Sequence, residues 1–270
     1  MTRATEEKDM SGPLFSIVTI AYQDFGGLRE TVASVRDQTF GDYEHIVIDA
    51  ASTDGSAEWL AQNFTGRWVS EPDRGRYHGM NKGAEMSSGT YLWFLNSGDI
   101  LGDTGVLARV SQAIERRGDN PPDWLYGLVR VVDSDKAVIG TMGYAPFSLF
   151  NFAILQRPVP HQASVITRKL FWELGGYDES VPVAADQLLL MKATNHSTPM
   201  VMADFLSDFD GTGISAGRPW REEWRDNQAV ARQLKTPVMR WRAVDSATRF
   251  AYSASLEVAR SIRDFAIGRR

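Results

Sequence analysis

Residues 14–22 read Leu-Phe-Ser-Ile-Val-Thr-Ile-Ala-Tyr, an apolar, β-rich run broken by Gly26 and Gly27. Such a run predicts a buried strand. Leu28, Val32 and Val35 follow at helical spacing, and residues 43–49 (YEHIVID) form a second apolar run that ends on Asp49. The alternation continues outward through a turn at 52–55, a helix over about 56–64, a short strand at 68–70 and a Gly- and charge-rich loop at 71–79. A helix around 80–86 then precedes a strand at 90–95 (TYLWFL), closed by Asn96-Ser-Gly-Asp99. Strand and helix alternating in this way predict an α/β fold with a mostly parallel central sheet and helices on both faces. Ligands of such sheets bind outside the carboxyl ends of the strands. Tyr22, Gln23, Asp49, the 71–79 loop and the 96–99 loop are therefore expected to converge on one crevice.

Beyond residue 100 the pattern predicts a helix at 106–114, a hairpin from 124–132 and 137–143, and a strand at 164–167. Helices at 169–174 and 185–193, a strand at 201–205 and a mostly helical stretch from Arg218 follow. The expected organisation is a charged, disordered lead-in (1–13), one α/β catalytic domain (14–217) and a helical extension (218–270). With 43% hydrophobic residues, a sizeable core is available. There is no Cys, which excludes disulfides and Cys-ligated zinc and fits a reducing, cytoplasmic setting. The longest uncharged stretch, 137–156, contains Gly140, Gly143, Pro146 and Asn151 and does not read as a membrane span. Net charge is −5, but residues 218–270 hold 12 Lys and Arg against 6 Asp and Glu. This basic tail alternates with Trp241, Val244, Ala251, Val258, Ile262 and Phe265 near helical spacing. The pattern fits either an anionic membrane surface or packing back onto the domain.

Several residue types in this frame suit nucleotide chemistry. Asp49, ending an apolar strand, can accept hydrogen bonds from a base or a ribose, whereas Asp54 reads as a turn or cap residue. In residues 71–83 (EPDRGRYHGMNKG), Gly75, Gly79 and Gly83 permit close backbone approach, and Arg74, Arg76 and Lys82 supply charge for a diphosphate. No phosphate-cradling G-x-x-x-x-G-K-[ST] motif occurs. Asp99 is a candidate ligand for a divalent cation bridging phosphate oxygens. His161 and Gln162, after Pro158 and Pro160, are candidates to bond a diphosphate or an acceptor. Asp186 stands alone among apolar residues, where burial is expected to raise its pKa and favour a general base; the plainer reading is a helix N-cap.

Taken in order, FSIVTIAYQ, SVRDQTFGDYEHIVIDAASTDGS, EPDRGRYHGMNKGAEMSSGTYLWFLNSGD, HQASVITRKLFWELGGYDE, AADQLLLMK and the late 211–215 segment resemble the inverting family 2 glycosyltransferases of GT-A fold. Within that family the chain resembles in particular the bacterial colanic-acid-type and surface glycolipid enzymes. The resemblance implies transfer of a sugar from a nucleotide-diphosphate sugar to a hydroxyl of a glycan or glycolipid in cell-envelope biosynthesis, at the inner face of the plasma membrane. It implies that Ile20, Ala21, Tyr22 and Asp49 hold the nucleoside and that Arg76 and Asn81 lie near its phosphates. It places the family's Asp-x-Asp element, which takes Mg²⁺ or Mn²⁺, on Asn96-Ser-Gly-Asp99, and the catalytic aspartate on Asp186. This chain departs from the pattern in carrying Asn96 and Gly98 where acidic residues are usual, Ala185 before the aspartate, and Gln187 and Leu188 after it. The alternatives are a nucleotidyltransferase, whose Arg-containing glycine loop after the first strand is absent here, and a non-catalytic nucleotide-sugar-binding module.

Overall fold

The computed structural model describes residues 12–181, 183–211 and 220–267. Most of the lead-in, the segment 212–215 and the boundary expected at 217/218 lie outside the described residues. β1 (Phe15–Ala21), β2 (Tyr43–Asp49), β3 (Arg67–Ser70) and β4 (Tyr91–Phe94) form a parallel half-sheet in the order β3-β2-β1-β4. α1 (Phe25–Arg36), α2 (Ser56–Asn63) and α3 (Arg76–Met86) make the crossovers.

After the two-residue strand β5 (Ile100–Leu101) and α4 (Val106–Glu115), the sheet changes character. β6 (Trp124–Val132) and β7 (Val138–Met142) form the expected antiparallel hairpin. β8 (Ser164–Thr167) inserts antiparallel between β4 and β6. β9 (Met200–Asp210) pairs parallel to β6 and antiparallel to β5. The sheet is thus parallel over its first four strands and mixed beyond them. β9 is longer than the apolar pattern suggested, because its second half pairs with β6 on one side and β5 on the other, and a side-chain clasp adds to the ladder. Arg130 of β6 donates to Asp208 across the pair at 2.5 Å and to the Gly102 carbonyl at 2.7 Å.

Large buried side chains fill both faces. One cluster joins Phe94, Trp124, Tyr126, Phe152, Phe171 and Tyr177; another joins Phe15, Trp93, Val110 and Leu206. α3 lies close against β1 because Gly83 has no side chain: a Cβ there would sit 2.2 Å from Val18 Cγ1. The apolar stretch after the hairpin forms α5 (Leu149–Ala153), and a 3₁₀ turn, His161–Ala163, leads into β8. α6 (Arg168–Glu173) and α7 (Ala185–His196) complete the second half. In the tail, α8 (Trp220–Ala231) packs on α7, and its Val230 joins the main core, as does Leu234 just beyond it. α9 (Arg242–Ile267) packs on α8. Among the described residues no helix is long and apolar enough to cross a membrane.

Candidate active site

The carboxyl ends of β1, β2 and β4 lie side by side, so the loops leaving them share one edge of the sheet. The Ala50 N–H bonds the Ala21 carbonyl from one side (2.9 Å) and the Ser97 N–H bonds the Ile20 carbonyl from the other (3.0 Å). Ala21 is buried and Ile20 half-buried, whereas Tyr22 is 68% exposed at the end of β1. Asp49 is fully buried. Its Oδ2 accepts from the Ser52 N–H (3.1 Å) and the Ser70 hydroxyl (2.5 Å), while Oδ1 has no partner among the described residues. An unpaired buried carboxylate oxygen is costly and leaves room for one more donor. Asp54 accepts from the Phe25 and Ser56 N–H groups (2.8 and 3.1 Å), which makes it part of the loop's framework.

The loop after β4 is held from α1. The Thr31 hydroxyl donates to the Asp99 carbonyl (2.7 Å) and accepts from the Gly98 N–H (3.1 Å); Gly98 sits at φ +90°, where a side chain would be strained. Asp24 caps α1 and accepts the Ser97 hydroxyl at 2.6 Å. Neither Thr31, Asp24 nor Ser97 stood out in the sequence, since each is a common turn or cap type. Asp99 itself is buried.

From this loop a chain of contacts runs to Asp186. Asn96 Nδ2 lies 3.0 Å from His161 Nε2, and His161 Nδ1 lies 3.3 Å from Asp186 Oδ2. Gln187 Nε2 donates to the same oxygen at 3.3 Å, and the Tyr77 hydroxyl lies 3.1 Å from Oδ1 and 2.7 Å from the Val183 carbonyl. Asp186 is the second residue of α7 and does not cap it; the cap position is Ala184. The expected upward pKa shift does not occur. Burial pushes the Asp186 carboxyl up, but the hydrogen bond and charge of His161, with Gln187, outweigh it and hold the group below its ordinary value. Burial likewise lowers His161, but Asp186 and the charge of Asp99 hold it above its ordinary value. The Asn96 amide serves either ring state by turning over, which exchanges Oδ1 and Nδ2.

Three cations lie in α3 and the loop before it, Arg74, Arg76 and Lys82, and two of them are already paired. Arg74 bonds Glu179 (2.8 Å) and Lys82 bonds Glu71 (2.8 Å). Arg76 makes no hydrogen bond or ion pair among the described residues, and its charge reaches His161. Asn81 is occupied structurally: Nδ2 donates to the Tyr177 carbonyl (2.9 Å) and Oδ1 accepts the Tyr177 N–H (3.0 Å). Gln162 is buried, and its carbonyl accepts the Trp93 indole N–H at 2.8 Å.

Among the described residues no group of three or more His, Asp or Glu is placed to hold a metal ion. The 96–99 loop offers one buried carboxylate, Asp99, and the Asn96 amide oxygen, which is buried without a partner when Nδ2 faces His161. Mg²⁺-type cations commonly take one or two carboxylates together with substrate phosphates. The residues fit a cation shared with a diphosphate, not a closed protein cage.

A model described as glycosyl transferase family 2 matches residues 16–120. An uncharacterised glycosyltransferase of Mycobacterium tuberculosis is 39% identical over 211 residues, 77% of this chain and 79% of the relative. The chain belongs to glycosyltransferase family 2. That membership makes it a nucleotide-sugar glycosyltransferase and decides against the nucleotidyltransferase alternative. A second relative, the PGL/p-HBAD biosynthesis glycosyltransferase of M. tuberculosis, is 32% identical over 182 residues, covering 66% of this chain and 68% of the relative. Staphylococcus aureus TarS 1–349 in complex with UDP-GlcNAc superimposes with a TM-score of 0.64 at 18% identity, over 81% of this chain and 66% of that one. This chain spans 39% of a longer TarS structure. The Pyrobaculum calidifontis mannosyltransferase PcManGT, in complex with GDP-Man and Mn²⁺, gives 0.60 at 16% identity, over 95% and 79% of the two chains. At these identities the likeness is one of fold, and the fold is GT-A.

Proposed function

We propose that this glycosyltransferase moves a sugar, with inversion, from a nucleoside-diphosphate donor to a hydroxyl of a glycan or lipid-linked acceptor in cell-envelope biosynthesis. The observation that carries the reading is the linkage of Asp186, through His161, to the loop holding Asn96 and Asp99. A base and a leaving-group site must face one another across the anomeric carbon, and this linkage ties the two together. Asp49, with its free Oδ1, receives a donor N–H or O–H of the nucleoside, and Tyr22 and Ile20 flank it.

Transfer is a single displacement. The acceptor oxygen bonds to the anomeric carbon while Asp186 takes its proton, and the bond from that carbon to the diphosphate breaks, the electron pair leaving with the phosphate oxygen. A carboxylate held ionised by its neighbours is in the state needed to accept that proton. Arg76, with no ion-pair partner among the described residues, offsets charge on the departing diphosphate. Asp99, with Asn96, would hold a divalent cation, which would neutralise diphosphate charge when bound. The relative named for PGL/p-HBAD biosynthesis supports a lipid-linked acceptor, and a lipid-linked acceptor would place the work at the inner membrane face.

The deciding experiment is Asp186→Asn. Turnover should fall by about 10²–10⁴-fold, the ordinary contribution of a general base, with nucleoside-diphosphate affinity within about twofold of wild type. Undiminished transfer would remove Asp186 from this role. A wild-type chain that binds UDP or GDP yet releases no nucleoside diphosphate from any donor, with Mg²⁺ or Mn²⁺, would make it a binding module.

A further inference from the structure

α9 is built inside out. Between residues 243 and 259 its buried positions are Asp245, Arg249 and Ser253, all polar and spaced four residues apart. Its exposed positions are Ala243, Ala247, Phe250, Ala251, Ser255, Leu256, Val258 and Ala259, none of them charged. An ordinary surface helix shows the reverse arrangement.

The inward polar seam is specific. Asp245 accepts the Val238 and Met239 N–H groups, both at 2.8 Å, and Arg249 Nη2 donates to Gln228 of α8 at 3.2 Å. Gln156, just beyond α5, donates to the Arg249 carbonyl and the Ser253 hydroxyl and accepts from Asn227 of α8. The helix is thus pinned in one rotation by hydrogen bonds, with its apolar side outward. Phe250 is 52% and Val258 59% exposed, and Trp241, just before the helix, is 64% exposed with Arg240 stacked on its ring at 5.8 Å.

Charge selects what covers this face. Lys235, Arg240 and Arg242 are exposed at its N-terminal end. The segment 218–270 carries six more basic than acidic residues. A second copy seated symmetrically here would bring two such segments together, which is repulsive. An anionic bilayer attracts them and takes up the uncharged face, with Trp and Arg at the headgroup level. At 26 residues α9 is about 39 Å long, and it is not apolar enough to cross a membrane.

The geometry points to the outward face of α9, with the Arg240–Trp241 corner, as a docking surface for anionic lipid. Gln156 and Asn227, on the inward side of α9, line a small cavity with Gln187, the neighbour of Asp186, so α9 packs on the half of the domain that holds the proposed base. The docking itself needs no transfer, so its failure and that of the proposed reaction are separable.

The test is co-sedimentation of the full chain, without donor, with 1:1 phosphatidylglycerol–phosphatidylcholine vesicles and with phosphatidylcholine alone. Binding to the anionic vesicles is expected to be at least tenfold tighter and to weaken with salt. Val258→Glu with Phe250→Glu should cut it a further tenfold or more, with the thermal stabilisation by UDP or GDP unchanged. Arg240→Ala with Trp241→Ala, on the loop, should weaken binding independently. Absence of wild-type binding to anionic vesicles, or equal binding by the variants, would overturn the inference. So would a stable wild-type dimer that Val258→Glu converts to monomer, since it assigns the face to a second copy.

Discussion

His161 Nδ1 and Asp186 Oδ2 lie 3.3 Å apart, with the far ring nitrogen of the same histidine 3.0 Å from Asn96. The pair explains why a carboxylate among apolar neighbours is held below, not above, its ordinary pKa. His161→Gln removes that charge and leaves the burial. The acid limb of the kcat/KM–pH profile should move to higher pH, with about tenfold lower activity per pH unit of movement on the acid side. A pH–rate profile of the variant with an unmoved limb would separate His161 from the base.

Asp49→Asn tests the nucleoside site. The substitution removes the charge from a buried acceptor and weakens a charge-assisted hydrogen bond. The expected loss is about 1.5–3 kcal/mol, or roughly 10–150-fold in affinity for the nucleoside diphosphate. Titration calorimetry with UDP and GDP reads it directly. Unchanged affinity for both would mean that the free Oδ1 meets no ligand.

His45 gives a stability signature remote from the reaction. It is buried in β2, bonded to the Thr19 hydroxyl at 3.0 Å, and burial pushes its pKa down to about 3. In the unfolded chain it titrates near 6.5, so protons favour unfolding from that pH downward to about 3, and the effect is absent above it. Between pH 7.5 and 5.5 this group alone should cost about 1.4 kcal/mol. Urea unfolding of wild type against His45→Gln at both pH values measures it: the wild-type advantage should shrink at pH 5.5. A constant difference would contradict the buried neutral histidine.

Gly83→Ala drives a Cβ to within 2.2 Å of Val18 Cγ1 in the core. Overpacking of this kind costs about 1–3 kcal/mol. Because α3 also carries Tyr77, turnover should fall along with the urea midpoint. A variant as stable and active as wild type would show that α3 moves freely on β1.

The parallel half of the fold was legible because each of its strands is an apolar run separated from the next by a helical pattern. Asp49 was legible for the same reason, as a charge closing such a run. The mixed half was harder to read. Nothing in residues 164–167 says that β8 slips antiparallel between β4 and β6, since strand order is set by packing across the whole domain. The sequence offered Arg74, Arg76 and Lys82 as equals; the distant Glu179 takes Arg74 and the nearby Glu71 takes Lys82, which leaves Arg76 unpaired among the described residues. Tyr77 gave no signal, being one of eight tyrosines and lying in a helix that also feeds the core; its hydroxyl acquires meaning only where α7 ends up.

α3 and the loop before it belong to two neighbourhoods at once. Tyr77 reaches Asp186 and Val183, Asn81 clasps Tyr177, and Arg74 reaches Glu179. A change that reshapes this segment for a different donor also disturbs the seat of the proposed base. The ends of β1 and β2, at Tyr22 and Asp49, carry no such double duty. Exchange of one nucleotide for another, by selection or by engineering, is therefore least encumbered from that side of the cleft.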